Sequence, residues 1–418
     1  MKKYDAYKPS GIGWIGEIPE GWEKCRFKNF LTLINKPSIS DTKVGLENIE
    51  SGSGKYLPSD SEFDGNGVEF LIDDILYGKL RPYLMKVWVA EFTGNAVGDF
   101  FVFRAKKNAN PYFLKYLMLS DGFTKEADGA TEGAKMPRVS SEFIMSLRYY
   151  LPSKKEQIAI AYYLDAKCAN IDNVVAIQRK RIELLKELKQ SIITHAVTKG
   201  LDKTAKMKDS GIDWIGKIPE GWKVKRLKLL AKIKTGTTPP TKVEKYYDSE
   251  DIKWYTPSDI TDSLRLNESE RYISNIAKLE NAGKLFPAKT IYFVGIGATI
   301  GKVAVCDEEA SCNQQVNAII PNKGNNYLYL AYCLRCQKEI VYLMANVVTL
   351  PIMNQEKNGE LKLPVPPFSE QTAIVEFLDK KCSTIDKQIA KVEKQIELLN
   401  EYKQSVITEC VTGKRKVY

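Results

Sequence analysis

With 418 residues, 44% of them hydrophobic and 27% charged, the chain can bury two or three domain cores, which excludes a disordered or fibrous class. MKKYDAYKP lacks the apolar stretch of a secretory leader, and the longest weakly polar run, 291–306, is short and carries Lys302. A cytoplasmic protein with no membrane span is therefore expected. The net charge of +10 suits a polyanionic partner, but residues 1–152 are neutral overall and the excess lies on 199–368 and the tail GKRKVY.

In chain order, the first feature is SGIGWIGEIPEGW at 10–22, which returns as SGIDWIGKIPEGW at 210–222. Trp14, Ile15, Ile18 and Trp22 are too apolar for a free linker, and the Pro-Glu-Gly-Trp turn should return one Trp to its domain, a structural role. Each copy runs into a basic-apolar segment, CRFKNFLTLI or VKRLKLLAKI, read as a first strand or helix. The insert 23–151 predicts strands at 68–72, 85–92 and 100–104, a helix at 111–119, and charged, glycine-bearing loops at 77–86 and 129–140. The insert 223–366 predicts a loop at 234–247, a strand at 291–297, a turn at 298–306, the segment CNQQVNAIIP at 312–321 and a helix at 327–344. Between their identical frames the two inserts hardly resemble each other. Each reads as an α+β domain.

The second repeat is IELLKELKQSIITHAVT at 182–198, which returns as IELLNEYKQSVITECVT at 396–412. Each copy lies in a stretch free of Gly and Pro between an opening proline (Pro152, Pro367) and a terminal glycine (Gly200, Gly413), which predicts a long helix. A heptad register runs through Cys168, Ile171, Val175, Gln178, Ile182, Leu185, Lys189 and Ile192. Its counterpart runs through Cys382, Ile385, Ile389, Val392, Ile396, Leu399, Lys403 and Val406. Such persistence predicts a coiled-coil seam, interrupted at one equivalent position by Lys189 and Lys403. The domains are accordingly 1–152, 153–199 (first long helix), 200–366 and 367–418 (second long helix and tail). The tail plus MKKYDAYKP resembles the lysine-rich connector 199–209, so the chain reads as a nearly closed ring cut between 418 and 1.

Several chemistries find weak support. Asn110-Pro111-Tyr112-Phe113 lacks the second proline of an adenine-methyltransferase motif and suits a helix cap. Gly295-Ile-Gly297-Ala-Thr-Ile-Gly301 has the wrong spacing for a dinucleotide fingerprint. Cys333 and Cys336 form a lone CxxC inside a helix pattern, which with Cys306 and Cys312 makes a poor zinc site. His195, the single histidine, is replaced by Glu409 in the other repeat. Glu187-Leu-Lys189 and Glu360-Leu-Lys362 lack the upstream Asp of a metal-dependent nuclease. No catalytic residue and no metal site are assigned.

The ordered set of motifs resembles the specificity subunits of type I restriction–modification systems: the doubled Trp-Ile-Gly-x-Ile-Pro-Glu-Gly-Trp, the Pro-x-x-x-Glu-Gln helix entries (Pro152 to Gln157, Pro366 to Gln371), GTTP at 236–239, ATIGKVAV at 298–305, Asn313-Gln314 and Lys135-Met-Pro-Arg138. The resemblance implies two α/β target-recognition domains separated by two long antiparallel coiled-coil helices, a pseudo-twofold tandem repeat of α+β class. It implies a non-catalytic reader of double-stranded DNA, each domain taking one half of a bipartite asymmetric site. Two methyltransferase subunits would dock on the helices and recruit motor-nuclease subunits, and S-adenosylmethionine, ATP and Mg would belong to those partners, with no cofactor on this chain. Candidate DNA contacts are Lys79, Arg81, Lys135 and Arg138 in the first domain, and Thr237, Lys242, Thr299, Lys302, Asn313, Gln314, Asn354 and Gln355 in the second. The helix seam comprises Ile171, Val175, Ile182, Leu185 and Ile192 with Ile385, Ile389, Ile396, Leu399 and Val406. The rival classes are a self-contained DNA-modifying or DNA-cleaving enzyme and a structural coiled-coil protein.

Overall fold

The computed structural model describes residues 3–58, 66–345 and 351–417. Packing divides the chain into two units, Met1–Lys180 with Val392–Tyr418, and Arg181–Lys391. These divisions fall inside two unbroken helices, Lys154–Lys199 and Phe368–Val411. They fall there because each core takes in one half of each helix: Ile160, Leu164 and Cys168 join Val406, Ile407 and Cys410 in the first, and Ile193 and Val197 join Ile374, Leu378 and Cys382 in the second.

In the first unit, Tyr7–Pro9 pairs antiparallel with Glu17–Pro19, and the turn that follows buries Trp22. Its indole N–H donates to Glu156 Oε1 (3.2 Å) in the opening turn of the first long helix. Gln157 accepts from the backbone N of Asn110 (2.8 Å) and donates to the Pro152 carbonyl (2.9 Å). Asn110 in turn caps the helix Pro111–Met118 by accepting from Phe113 N (2.9 Å), so the Asn-Pro-Tyr-Phe stretch is a helix start. The Glu-Gln pair thus ties the helix entry to the Trp frame and to the next helix at once.

The main sheet of this unit is antiparallel, in the order Leu31–Ile34, Phe100–Ala105, Ile75–Gly78, Val87–Val89. A smaller sheet runs Pro37–Ser38, Gly67–Phe70, Gly94–Ala96, Lys43–Val44, the last pair parallel. The strand expected over 85–92 is only Val87–Val89, because Met85 takes a left-handed conformation and ends the preceding turn. Ile75–Gly78 was not foreseen. All four of its residues are buried, so it shows none of the alternation by which a half-exposed strand is recognised.

The second unit repeats the plan. Met207–Asp209 pairs with Lys217–Pro219, Trp222 is buried and donates to Glu370 Oε2 (3.0 Å), and Gln371 accepts from Asn326 N (2.8 Å). The main sheet runs Ala231–Thr235, Val316–Pro321, Thr290–Val294, Val303–Cys306, every pair antiparallel. Order and direction match the first unit although the inserts share little sequence. In the smaller sheet (Tyr272–Ile273, Ile252–Tyr255, Ala310–Cys312, Leu285–Phe286) three strands correspond, and the fourth sits on the opposite edge. Two expectations are corrected here. Residues 303–306, read as part of a turn, are a fully buried strand. The helix expected over 327–344 is two, Tyr327–Arg335 and Lys338–Ala345. The break comes where Cys336 N and Gln337 N take tight bonds to the Cys333 and Leu334 carbonyls, and the buried Gln337 amide also reaches the Cys333 carbonyl (3.4 Å).

Burial along the long helices follows the heptad register. Ile171, Val175, Ile385, Ile389 and Val406 are buried, while Ile182, Leu185, Ile192, Ile396 and Leu399 are half-buried, as a two-helix seam with open flanks requires. In the first unit Lys403 Nζ meets Asp172 Oδ1 at 2.7 Å and Arg415 reaches Tyr163 at 3.0 Å, so the helices run antiparallel. In the second, Lys189 meets both oxygens of Asp386 at 2.7 Å, and a Cβ added at Gly200 would lie 3.1 Å from Glu370. Asp172 and Asp386 stand at the same offset as Lys403 and Lys189, so one polar device sets the register in each unit. The two chain ends share the first unit: Tyr7 Oη donates to the Gly413 carbonyl (3.2 Å) and Lys416 lies over the Tyr4 ring. Met1 and Tyr418 themselves lie outside the described residues.

Candidate nucleic-acid interface

In the first unit the strands Ile75–Gly78 and Val87–Val89 form a hairpin whose tip is 79–86, closed by Gly78 N donating to the Lys86 carbonyl (2.8 Å). The tip is clamped by 137–139. Arg81 N donates to the Pro137 carbonyl (2.8 Å), Val139 N donates to the Lys79 carbonyl (3.1 Å), and Leu80 bridges Arg138. A bridge between Glu132 and Arg138 folds 132–138 into a second small hairpin. Lys79, Arg81, Lys135 and Arg138, from two distant loops, are therefore neighbours.

Their side chains are not equivalent. Arg138 makes a two-point ion pair with Asp99 (2.9 and 3.2 Å), whose hydrogen bonds raise its pKa further above the ordinary guanidinium value. Lys79 Nζ lies 5.5 Å from the Phe101 ring centroid. Arg81 is exposed, its guanidinium 3.5 Å from the Lys135 carbonyl, and Lys135 is exposed as well. Tyr83 and Met136, each 49% exposed, flank this cationic cluster and were not singled out from the sequence.

The second unit carries the same hairpin, with tip 295–302 closed by Val294 N donating to the Lys302 carbonyl (2.9 Å). The clamp is also the same. Gly297 N faces the Pro351 carbonyl (3.4 Å), Met353 N donates to the Gly295 carbonyl (2.8 Å), and Ile296 bridges Ile352. Thr299 and Lys302 ride on this tip. Lys302 is only loosely paired, 3.8 Å from Asp262.

Beside the tip, the turn after Ala231–Thr235 meets the turn before Val316–Pro321. Thr237 N donates to the Cys312 carbonyl (2.8 Å), and Thr238 Oγ1 meets Gln314 Oε1 at 2.5 Å. A Cβ at Gly236 would come within 2.2 Å of the Cys312 and Asn313 carbonyl oxygens, so this approach admits only glycine. Asn313 is buried and spends its amide on Gln315, accepting from its N (3.0 Å) and donating to its Oε1 (3.2 Å). Asn354 caps the helix Gln355–Gly359 by accepting from Lys357 N (2.8 Å). The Gln355 amide sits 2.9 Å from Thr235 Oγ1, and Thr235 donates to Asn317, which holds the Met353 carbonyl. Thr237, Asn313, Gln314, Asn354 and Gln355 thus line one end of the sheet; Gln314, Asn354 and Gln355 are exposed there, and each has one end of its side-chain amide engaged by the bonds just described. Lys242 is exposed on the following turn and takes no part in these bonds.

The cysteines do not converge. Cys306 accepts from Tyr255 (3.4 Å), while Cys333 is enclosed in the core and Cys336 faces Thr194 and Gln190 of the first long helix. Burial pushes the Cys336 thiol up to about 11. Among the described residues no group of three or more His, Cys, Asp or Glu is placed to hold a metal ion, and no helix is long and apolar enough to cross a membrane.

A family model described as "Type I restriction modification DNA specificity domain" matches residues 219–398. The type I restriction enzyme MjaIX specificity subunit of Methanocaldococcus jannaschii is 32% identical over 45% of this chain and 43% of that protein. A second protein of that organism, provisionally named the MjaX specificity subunit, is 24% identical over 96% of each chain. Among solved structures, a chain from a study of complex assembly and conformational transition of a type I R-M system superimposes with a TM-score of 0.75, at 18% identity, over 94% of this chain and 98% of its own. The HsdS subunit of Thermoanaerobacter tengcongensis gives 0.52, also at 18% identity, over 95% and 98%. At these identities the two structures speak for the fold.

Proposed function

We propose that the chain belongs to the specificity-subunit family of type I restriction–modification systems, whose domain model and named members it matches, and that it is the DNA-reading, non-catalytic component of such a system. One observation carries this reading: both units hold the same hairpin tip in the same proline clamp, yet fill it with different side chains, Arg81 and Lys135 in one, Thr299 and Lys302 in the other. A conserved scaffold with exchanged loop chemistry is what two different half-sites demand, since base edges are discriminated by donor and acceptor placement. The two readings together make a bipartite, asymmetric site.

The long helices supply the complementary half of the argument. Leu184 and Leu188, with their repeat equivalents Leu398 and Tyr402, stay outside the seam and are between 42% and 53% exposed. The same apolar face presented twice suits two copies of one partner, a methyltransferase subunit, through which motor-nuclease subunits join. S-adenosylmethionine, ATP and Mg belong to those partners in this reading. The test is selection of duplexes from a randomised pool by the full chain assembled with its methyltransferase subunits. Enrichment of two short motifs at a fixed spacing is expected, and recovery of unselected sequence would refute the reading.

A further inference from the structure

The two hairpin tips share a backbone feature that their sequences conceal. Residues 81 and 85 are left-handed (φ 51° and 48°) on either side of the short turn Pro82–Leu84. The clamp bonds align Lys79 with Gly295, Leu80 with Ile296, Arg81 with Gly297 and Lys86 with Lys302, so Met85 falls opposite Gly301. Gly297 and Gly301 are left-handed as well (φ 100° and 84°). The second unit therefore meets the demand with glycine, which lacks the Cβ that makes this region costly, while the first meets it with two residues that carry the penalty.

Met85 has a packing reason to be there, since its side chain joins the main core of its unit. Arg81 has none. Its side chain is exposed, its guanidinium touches a backbone carbonyl at the limit of hydrogen bonding, and among the described residues it makes no ion pair with a carboxylate. Its backbone is nevertheless held, N–H to the Pro137 carbonyl at 2.8 Å. Backbone strain that persists at a fixed, exposed, unpaired cation marks a side chain kept for use. We propose that Arg81 is the base-reading residue of the first unit, its guanidinium donating two parallel hydrogen bonds to O6 and N7 of a guanine in the major groove. Arg138 is then a positioning residue, bound to Asp99 and holding the clamp that aims Arg81. The proposal rests on the DNA-reading function above and assigns its half-site chemistry.

Two variants test it in the full chain assembled with its methyltransferase subunits, with a randomised duplex pool as probe. Arg81→Gly gives the first unit the residue of the second, so the melting temperature should hold or rise. The enriched motif should lose its guanine at one position of one half-site and keep the other half-site intact. Arg81→Lys keeps the charge without the fork, so the salt dependence of binding should persist while the same guanine preference falls at least tenfold. Enrichment of the parent motif by Arg81→Gly would overturn the assignment, as would loss of both half-sites with a lowered melting temperature. A parent assembly that enriches no motif would instead overturn the DNA-reading function itself, which keeps the two failures distinct.

Discussion

Removing Asp172 should destabilise the first unit far more than removing Lys403, although each change breaks the same ion pair. The Lys403 side chain is 10% exposed on the seam and its ammonium meets Asp172 at 2.7 Å. Asp172 is 24% exposed and has a second cation, Lys55, at 3.4 Å. Asp172→Ala leaves an enclosed ammonium without a counter-charge, and breaking a buried pair in this way costs roughly 3–5 kcal/mol. Partial access to water places this case at the lower end, about 3 kcal/mol. Lys403→Leu leaves a carboxylate that keeps Lys55 and solvent, and adds apolar surface to an apolar seam, so it should stay within about 1 kcal/mol of the parent. The double variant should recover most of the Asp172→Ala loss. At the equivalent pair of the second unit, Lys189 is 19% and Asp386 53% exposed, so Asp386→Ala should cost only about 1 kcal/mol. Urea midpoints read by circular dichroism, compared at equal slope, give the four values. The reasoning fails if Asp172→Ala is no worse than Lys403→Leu, or if the double variant is as unstable as the sum of the singles.

Trp22→Ala and Trp222→Ala should each lower stability by about 3–5 kcal/mol, since each empties a buried indole site and removes the donor to Glu156 or Glu370; thermal melts of the two variants would show it. Burial raises the thiols of Cys168 and Cys336 to about 11 and of Cys410 to about 12, so all three are neutral at pH 8. Iodoacetamide should leave them unmodified in the native chain at that pH and alkylate them in urea, as peptide mass mapping would read. Because these folded-state values are raised, the associated stability is present below the unfolded thiol value and is lost as pH rises towards 11–12. Lys302→Ala should weaken binding to all sequences alike and reduce the salt slope by about one, measured by anisotropy across a range of salt.

The frame was legible because its signals are local and repeated. A heptad register, a Pro-to-Gly window and a doubled Trp motif each have one physical interpretation, and burial along both helices follows the register. The inserts were far less legible. Strands Ile75–Gly78 and Val303–Cys306 are covered on both faces, so any apolar residue serves and period-two alternation disappears. For the same reason two domains with one strand order need share little sequence: the main sheet requires apolar volume and pairing direction, and neither leaves a motif.

For the candidate interface, the sequence singled out these loops but could not rank the residues within them. Arg81 and Arg138 are both arginines in glycine-bearing loops, and nothing in their neighbourhood of sequence separates them. The distinction comes from Asp99, a strand-end carboxylate thirty-nine residues from Arg138, which engages one guanidinium and not the other. Asn313 and Asn354 were drawn into the candidate set by residue type, since asparagine can read adenine. In the fold each spends its side-chain oxygen on a nearby backbone N–H, one in a turn and one at a helix start. A polar side chain in a loop is therefore ambiguous until its own backbone has been served, because local capping competes directly with recognition. What survives that competition in the first unit is the exposed, left-handed Arg81 with Lys135 beside it, and in the second Thr299 and Lys302. These are the positions where substitution should change what is read without changing what is folded.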